Sequence, residues 1–200
     1  MNDDETTISP KQLWNYVVAI TGASGAPYAR RLMHSLASPD IQVHVVASSA
    51  GKMVYQMELG TAMEEDLPAG TMLYEETDIA APIASGSFPI EGMVVVPCSM
   101  GSLAAIAQGC ARNLIHRAAD VCLKERRRLI LVPREMPLSR IHLSNMLQVV
   151  DAGGVILPPM PGFYHQPQSI DDLVDFVVSR ILMQLGFDQT LVPPWLGGGS

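Results

Sequence analysis

Five short apolar runs, separated by helix-like stretches, set the strongest limit on how this chain can fold. They lie at residues 16–20, 43–47, 93–96, 129–132 and 155–157 and are rich in Val, Ile and Leu. Continuous runs of this kind are typical of parallel strands that are buried on both faces, because strands with one exposed face alternate apolar and polar residues. The alternation of strands and helices predicts a single-domain, doubly wound (Rossmann-like) α/β fold, with helices on both faces of a parallel sheet.

The length of the chain predicts one domain. Two hundred residues are enough for one sheet of this class and too few for two large domains. We expect the domain to span residues 1–196, and the Gly/Ser-rich residues 197–200 to form a flexible tail. A last helix is predicted over residues 169–185, with Ser169 as its N-cap.

The composition excludes several classes of protein. Hydrophobic residues make up 48% of the sequence and charged residues only 16%, which rules out intrinsic disorder and predicts apolar contacts between subunits. No apolar run approaches the ~20 residues of a membrane helix, and the acidic start is unlike a signal peptide, so we expect a cytoplasmic protein without a membrane partner. The three cysteines lack the spacing of a zinc site or a disulfide framework, and no metal is expected.

Charge is distributed unevenly along the chain. The net charge is −7, which argues against a general nucleic-acid binder. Residues 112–140 nevertheless contain eight basic and three acidic residues, a local charge of +5. This segment either binds a phosphate-bearing small molecule or forms a solvated helix face with ion pairs, for which Asp120 and Lys124 have the i,i+4 spacing. The charge pattern alone leaves both interpretations open.

Small or reactive polar residues follow four of the five predicted strands. They are Ser24, Ser48, Ser99 and the pair Arg134 and Glu135. In an open parallel sheet, ligands bind outside the carboxyl ends of the strands, so we expect a shared crevice rather than four unrelated turns. Glu135 is either a carboxylate that transfers protons or the partner of Arg134 in a local ion pair.

The first of these turns, Thr21-Gly22-Ala23-Ser24-Gly25-Ala26, follows a strand and opens a helix. Its small residues let backbone N–H groups and the helix N-terminus approach a phosphate group. The turn matches neither the GxGxxG dinucleotide fingerprint nor a Walker A loop, so by itself it is a weak signal.

Six blocks of the sequence can be compared with known families. They are TGASGAPYARRL (21–32), ASGS (84–87), PCSMGSL (97–103), NLIHRAADVCLKERRRLILVPREMPLS (113–139), IHLSNM (141–146) and PGFYHQPQSIDDLVDFVVSRIL (161–182). Together they resemble the flavin prenyltransferase family, the UbiX-like proteins. The likeness extends from about Tyr16 to Trp195, which is nearly the whole chain.

The resemblance implies an activity, a cofactor and partners. Members of this family transfer a dimethylallyl group from dimethylallyl phosphate to reduced FMN, without a metal. The prenylated FMN is the cofactor of UbiD-type decarboxylases, and the family assembles as homo-dodecamers. By this resemblance we expect a metal-independent flavin prenyltransferase that supplies a UbiD-type decarboxylase.

The resemblance also implies roles for individual residues. The positions that match FMN contacts of the family are Gly22, Ala23, Ser24, Ser48, Ser85, Ser99, Met100, Ser102, Arg117 and Arg134. Those that match ligands of the prenyl phosphate are Lys124, Arg134, Tyr164 and Arg180. The matching catalytic positions are Ser24, Glu58, Lys124 and Glu135, with Glu58 expected from a neighbouring subunit. Trp195 matches a tryptophan that covers the pocket.

These residue types suit the implied chemistry. A phosphate leaving group gains negative charge as its bond breaks, and fixed cations and a phenol stabilise that charge. Water must be excluded from such a site, because it would quench an allyl cation.

The sequence departs from the family pattern at residues 79–83 and at Met100 and Ser102. These departures concern the wall of the prenyl pocket more than the flavin site. Two alternative functions stay open: an FMN-dependent decarboxylase of the cysteine type, and a non-catalytic FMN carrier or accessory subunit. The Asn that follows the proline turn in the first class is missing here, and a pure carrier has no use for Lys124, Arg134 and Arg180.

Overall fold

A six-stranded parallel sheet forms the centre of the protein in the computed structural model, which describes residues 13–195. The strand order is β3-β2-β1-β4-β5-β6, and all neighbouring strands run parallel. The chain starts in the middle with β1 and then builds each half of the sheet in turn, which confirms the predicted doubly wound fold. The strands are β1 (Trp14–Ile20), β2 (Ile41–Ala47), β3 (Met72–Glu75), β4 (Gly92–Cys98), β5 (Arg128–Pro133) and β6 (Val155–Ile156).

Two layers of helices cover the sheet. One apolar core lies between the sheet and α1, α2, α3 and α7, and the other lies between the sheet and α4, α5 and α6. Successive side chains of β1 enter opposite cores, and Val17 and Val18 are both fully buried. The helices are α1 (Ala26–Leu36), α2 (Ser49–Leu59), α3 (Met63–Asp66), α4 (Met100–Ala107), α5 (Leu114–Lys124), α6 (Arg140–Asp151) and α7 (Ile170–Leu185).

All five predicted strands are present, and the structure adds β3. This strand has four residues at the edge of the sheet, and two of them, Met72 and Glu75, are exposed. Its three apolar residues, 72–74, include no Val or Ile, and the sequence analysis did not identify them as a strand. The last predicted helix is also present, and the hydroxyl of Ser169 accepts a hydrogen bond from the N–H of Asp172 (3.1 Å).

Two further expectations concern the ends of the chain and membranes. The predicted tail at residues 197–200 lies outside the described residues. Within residues 13–195, no helix is long and apolar enough to cross a membrane.

Candidate functional site

The carboxyl ends of β1, β2 and β4 are joined by hydrogen bonds around one buried hydroxyl. Thr21 is 1% exposed, and its Oγ1 donates to the carbonyl of Pro97 (2.8 Å) and accepts from the N–H of Ser99 (2.7 Å). The N–H of Ser48 donates to the carbonyl of Ile20 (2.9 Å). The turns that carry the predicted serines therefore meet at one edge, which we call the carboxyl edge of the sheet. Thr21 lies in the first predicted turn, directly after an apolar run, but sequence reasoning assigned it no role.

Two of the predicted FMN contacts also cap helices. The hydroxyl of Ser48 accepts from the N–H of Gly51 (3.0 Å) at the start of α2. The hydroxyl of Ser99 accepts from the N–H of Ser102 (3.3 Å) at the start of α4 and donates to the hydroxyl of Ser102 (3.2 Å). The positive ends of both helix dipoles therefore point to the carboxyl edge, where they attract an anion.

The turn at Gly22 lies directly on the start of α2. A Cβ added at Gly22 would lie 2.5 Å from the Cβ of Ala50. Only glycine permits this approach, so the backbone of the Gly22-Ala23-Ser24 turn is held close to α2.

Glu58 reaches the same edge from the last turn of α2. Its Oε2 accepts hydrogen bonds from the N–H groups of Gly25 (2.9 Å) and Ala26 (2.8 Å) at the start of α1. Partial burial alone would raise the pKa of Glu58, but hydrogen bonds from Ser24, Gly25 and Ala26 and the charge of Arg134 together lower it. Glu58 is therefore ionised at neutral pH. Within this chain it contacts the start of α1, whereas the resemblance implied that it serves the site of a neighbouring subunit.

Arg134 brings a cation to this edge. It follows β5, and its N–H donates to the carbonyl of Cys98 (3.2 Å), which fixes its backbone beside β4. Its side chain is exposed and has no hydrogen bond or ion pair among residues 13–195. The carboxylate of Glu135 accepts from the N–H of Met136 (3.0 Å) instead of pairing with Arg134. Of the two interpretations of Glu135, the structure therefore does not support the local ion pair.

An aromatic cluster carries the next two predicted residues. The rings of Tyr164 and Trp195 are 5.1 Å apart, and the rings of Tyr164 and Phe176 are 5.7 Å apart, both edge to face. Arg180 lies one helical turn after Phe176, and both line a cavity of about 320 Å³ beside β6. Arg180 has no acidic partner in the part of the chain that the structure describes. Tyr164, Trp195 and Arg180 therefore belong to one neighbourhood, as the phosphate and lid assignments require.

Lys124 lies at the amino ends of the strands, opposite the carboxyl edge, and we call this end of the sheet the amino edge. It ends α5 and immediately precedes β5, whereas Arg134 follows the other end of that strand. Six residues of strand span about 20 Å, so the two cations are on opposite edges of one chain. Lys124 pairs with Glu125. The i,i+4 pair predicted between Asp120 and Lys124 is therefore wrong, because Asp120 pairs with Arg117 (2.8 Å).

Ser85 and Arg117 also lie away from the crevice formed by the serine turns. The Ser85 turn packs on the end of α5, since a Cβ added at Gly86 would lie 2.7 Å from the Nζ of Lys124. The hydroxyl of Ser85 is 2.8 Å from that of Ser87. Arg117 donates from Nε to the carbonyl of Ala84 (3.0 Å). One chain alone therefore does not bring Ser85, Arg117 and Lys124 together with Ser24 and Arg134.

Glu76 is a second residue that sequence reasoning missed. Its Oε1 accepts from the N–H (2.8 Å) and hydroxyl (2.9 Å) of Ser49, and its Oε2 accepts from the side chain of Asn113 (2.8 Å). Partial burial alone would raise the pKa of Glu76, but its bonds to Ser49 and Asn113 and the nearby His116 lower it. Glu76 thus ties the start of α2 to the start of α5. Because it follows the missed strand β3, no sequence signal pointed to it.

The two buried cysteines are not suited to act as nucleophiles, and the described residues provide no metal site. Burial raises the pKa values of Cys98 and Cys122 to about 12, so both thiols are protonated at neutral pH and are poor nucleophiles. Among residues 13–195, no group of three His, Cys, Asp or Glu side chains is placed to hold a metal ion.

Comparisons with known proteins agree with this geometry. The family model described as Flavoprotein matches residues 5–182. The flavin prenyltransferase UbiX of Pseudomonas aeruginosa is 48% identical over 192 residues, which cover 89% of this chain and 92% of that protein. The crystal structure of AnUbiX (PadA1) in complex with FMN and dimethylallyl pyrophosphate superimposes with a TM-score of 0.90 at 43% identity, covering 94% of this chain and all of that one.

A third match concerns assembly. The dodecameric FMN-dependent UbiX-like decarboxylase from Escherichia coli O157:H7 has a TM-score of 0.88 at 44% identity, covering 92% of this chain and all of that one. The family model and these relatives span most of the sequence, and they confirm the likeness inferred from its motifs. The chain therefore belongs to the flavoprotein family and, within it, to the UbiX-like flavin prenyltransferases.

Proposed function

We propose that this protein transfers a dimethylallyl group from dimethylallyl phosphate to reduced FMN. The observation that carries the proposal is that the carboxyl edge holds both a cation without an ion pair in the described residues and a hydrogen-bonded carboxylate. Arg134 is unpaired in the described structure, and Glu58 is bound by the first amides of α1. The cation can bind a phosphate and the carboxylate can take up a proton, and the turns beside them are small enough to admit a flavin.

The residues at the carboxyl edge fit FMN. We assign its contacts to the turns at Gly22-Ala23-Ser24, Ser48 and 99–102, where the starts of α2 and α4 favour a phosphate group. The bound reduced flavin supplies an electron-rich ring that accepts the dimethylallyl group. Ser24, which is hydrogen-bonded to Glu58, can pass a proton between this ring and the carboxylate.

The prenyl phosphate requires more cations than one carboxyl edge offers. We assign Arg134, Tyr164 and Arg180 to it from one chain. Lys124 and Ser85 lie on the amino edge, so we infer that they complete the site of a neighbouring copy. In this arrangement Glu135 handles a proton from its exposed position, and Trp195, which contacts Tyr164 edge to face, covers the pocket and excludes water.

We further propose a homo-dodecamer, as in the relative from Escherichia coli O157:H7. Exposed apolar side chains on α6, among them Leu143 and Leu147, provide surface for subunit contacts. Residues 1–196 would form the flavin-binding domain and 197–200 its tail. The three free cysteines are consistent with a cytoplasmic location, and a UbiD-type decarboxylase would receive the product.

The test is anaerobic incubation of the protein with reduced FMN and dimethylallyl phosphate, followed by mass analysis of the released flavin. We expect flavin that is heavier by one dimethylallyl group, and none with boiled protein. Dimethylallyl diphosphate is the second donor, since AnUbiX was crystallised with it. Bound but unchanged flavin with both donors would contradict the proposal and favour the carrier function. Loss of CO₂ from a thiol-bearing peptide would favour the decarboxylase.

A further inference from the structure

The turn at residues 84–88 is held by arginine side chains rather than by its own backbone alone. Arg127 donates from Nη2 to the carbonyl of Gly86 and from Nη1 to the carbonyl of Phe88, both at 2.7 Å. Arg117 donates to the carbonyl of Ala84 (3.0 Å). Three carbonyls of one turn are therefore bound by two guanidinium groups.

The backbone conformation at the end of α5 orients Arg127 towards this turn. Arg126 has a left-handed conformation (φ 55°), and the N–H of Arg127 donates to the carbonyl of Cys122 (2.8 Å). A hydrogen bond from residue i to residue i−5 that encloses a left-handed residue commonly ends a helix, although glycine is more common at the left-handed position. The backbone of Arg127 is thus fixed where the chain leaves the helix.

Arg127 differs from the arginines beside it in the sequence. In the described part of the chain, the side chains of Arg126 and Arg128 make no hydrogen bond or ion pair. Only the middle arginine of this run uses the fork geometry of its guanidinium. Two carbonyls at this spacing suit a planar group with parallel N–H donors, and an ammonium group does not provide that geometry.

The held turn and Lys124 form one surface. The backbone of Gly86 packs on the side chains of Lys124 and Glu125, and Ser85 directly precedes Gly86 in the turn. Arg127 therefore controls the position of Ser85 relative to Lys124.

We propose that Arg127 is a positioning residue for prenyl transfer. It holds the 84–88 turn against the end of α5, so that Ser85 and Lys124 approach a neighbouring copy's ligands together. This inference rests on the proposed function and on the assignment of Ser85 and Lys124 to a site shared between copies.

The test compares Arg127→Lys with Arg128→Lys in the full-length protein. Both substitutions keep the charge of the same arginine run, but only the first removes a fork of hydrogen bonds. For Arg127→Lys we expect faster deuterium exchange in the segment 84–88 and roughly tenfold lower kcat/KM for dimethylallyl phosphate. Melting temperature and oligomeric mass should stay close to those of the wild type. Arg128→Lys should match the wild type in every measurement.

A double-mutant cycle separates positioning from general stability. If Arg127 acts through the turn, combining Arg127→Lys with Ser85→Ala should lower activity little further than Ser85→Ala alone. Additive losses, or exchange rates equal to those of Arg128→Lys, would overturn the proposal. If Arg127→Lys does not fold, Arg127→Gln, which keeps a donor for one carbonyl, takes its place in the cycle. If the wild-type protein prenylates no flavin, the proposed function is refuted. The deuterium exchange of segment 84–88 then still tests whether Arg127 holds the turn.

Discussion

The two edges of the sheet are built by different interactions. At the carboxyl edge, buried Thr21 and the backbone of the strand ends align small residues and helix starts. At the amino edge, the long side chain of Arg127, just after α5, donates to two carbonyls of a turn. The carboxyl edge is thus ordered by one buried hydroxyl and backbone hydrogen bonds between strand ends, and the amino edge by guanidinium groups that bind the carbonyls of a turn.

The edges also differ in how their charges are used. Arg134 is unpaired and exposed at the carboxyl edge, in the described structure, whereas Lys124 pairs with Glu125 at the amino edge. An exposed ion pair is weak, so a phosphate can draw Lys124 away from Glu125 at small energetic expense. With the residue assignments proposed above, one chain holds only part of the site, and the proposed function therefore requires the two edges to meet between copies.

Arg134→Ala should have the largest effect. Removing the unpaired cation deprives the leaving phosphate of charge stabilisation, so kcat/KM for dimethylallyl phosphate should fall by roughly 10³-fold. FMN should still bind, as measured by quenching of flavin fluorescence. Arg128→Ala is the matched control and should leave both quantities unchanged. Equal loss of flavin binding and prenyl transfer would mean that Arg134 serves mainly the flavin.

Glu58→Gln should be the next most damaging change. The amide keeps an acceptor for the start of α1 but cannot take up a proton, so prenylated flavin should form roughly 10²-fold more slowly with FMN still bound. Single-turnover mass analysis of the flavin measures this rate. Normal turnover would remove Glu58 from the mechanism.

Mixing subunits tests whether the two edges complete one another. Arg134→Ala and Lys124→Ala proteins should each be nearly inactive, because every site then lacks a cation. In oligomers that contain both variants, about a quarter of the sites between copies should regain both residues. Activity after co-expression, compared with a simple mixture of separately folded oligomers, measures this recovery. Absence of recovery in verified mixed oligomers would place both cations in one chain's site.

Thr21→Val should have a smaller effect that is confined to the carboxyl edge. The substitution keeps the shape of the side chain but leaves the N–H of Ser99 without its acceptor, so FMN should bind about tenfold more weakly. Titration of flavin fluorescence gives the dissociation constant, and Thr21→Ser should restore it. Ser179→Ala is the control, because it removes a buried hydroxyl that donates to the carbonyl of Phe176 (2.7 Å) inside α7. A similar loss of FMN affinity in both variants would mean that Thr21 acts only through stability.

The smallest expected effect is on stability as a function of pH. The pKa of Glu58 is below its ordinary value of 4.5, so its ionised form stabilises the folded protein at neutral pH. That contribution should be fully present above pH 4.5 and be lost as the pH falls through the lowered pKa. The difference in Tm between wild type and Glu58→Gln should therefore shrink in acid. A difference that grows on acidification would contradict the charge state assigned to Glu58.

The sequence by itself predicted the sheet and its carboxyl edge. Apolar runs buried on both faces mark parallel strands, and polar residues after them mark one edge, because all parallel strands end on the same side. Ser24, Ser48, Ser99 and Arg134 were found in this way. The role of Glu58 came from resemblance to a family, and the sequence did not indicate that it would contact the start of α1 within its own chain.

Only the tertiary structure decided which residues share a neighbourhood across the sheet. Thr21 and Glu76 were missed because their partners lie 78 and 37 residues away, at Ser99 and Asn113. Lys124 and Arg134 are ten positions apart in the sequence but occupy opposite edges, because a strand runs between them. Periodicity reports whether a residue is buried and which way it faces. The meeting of side chains from separate strands depends on the order of the strands in the sheet, which no local pattern contains.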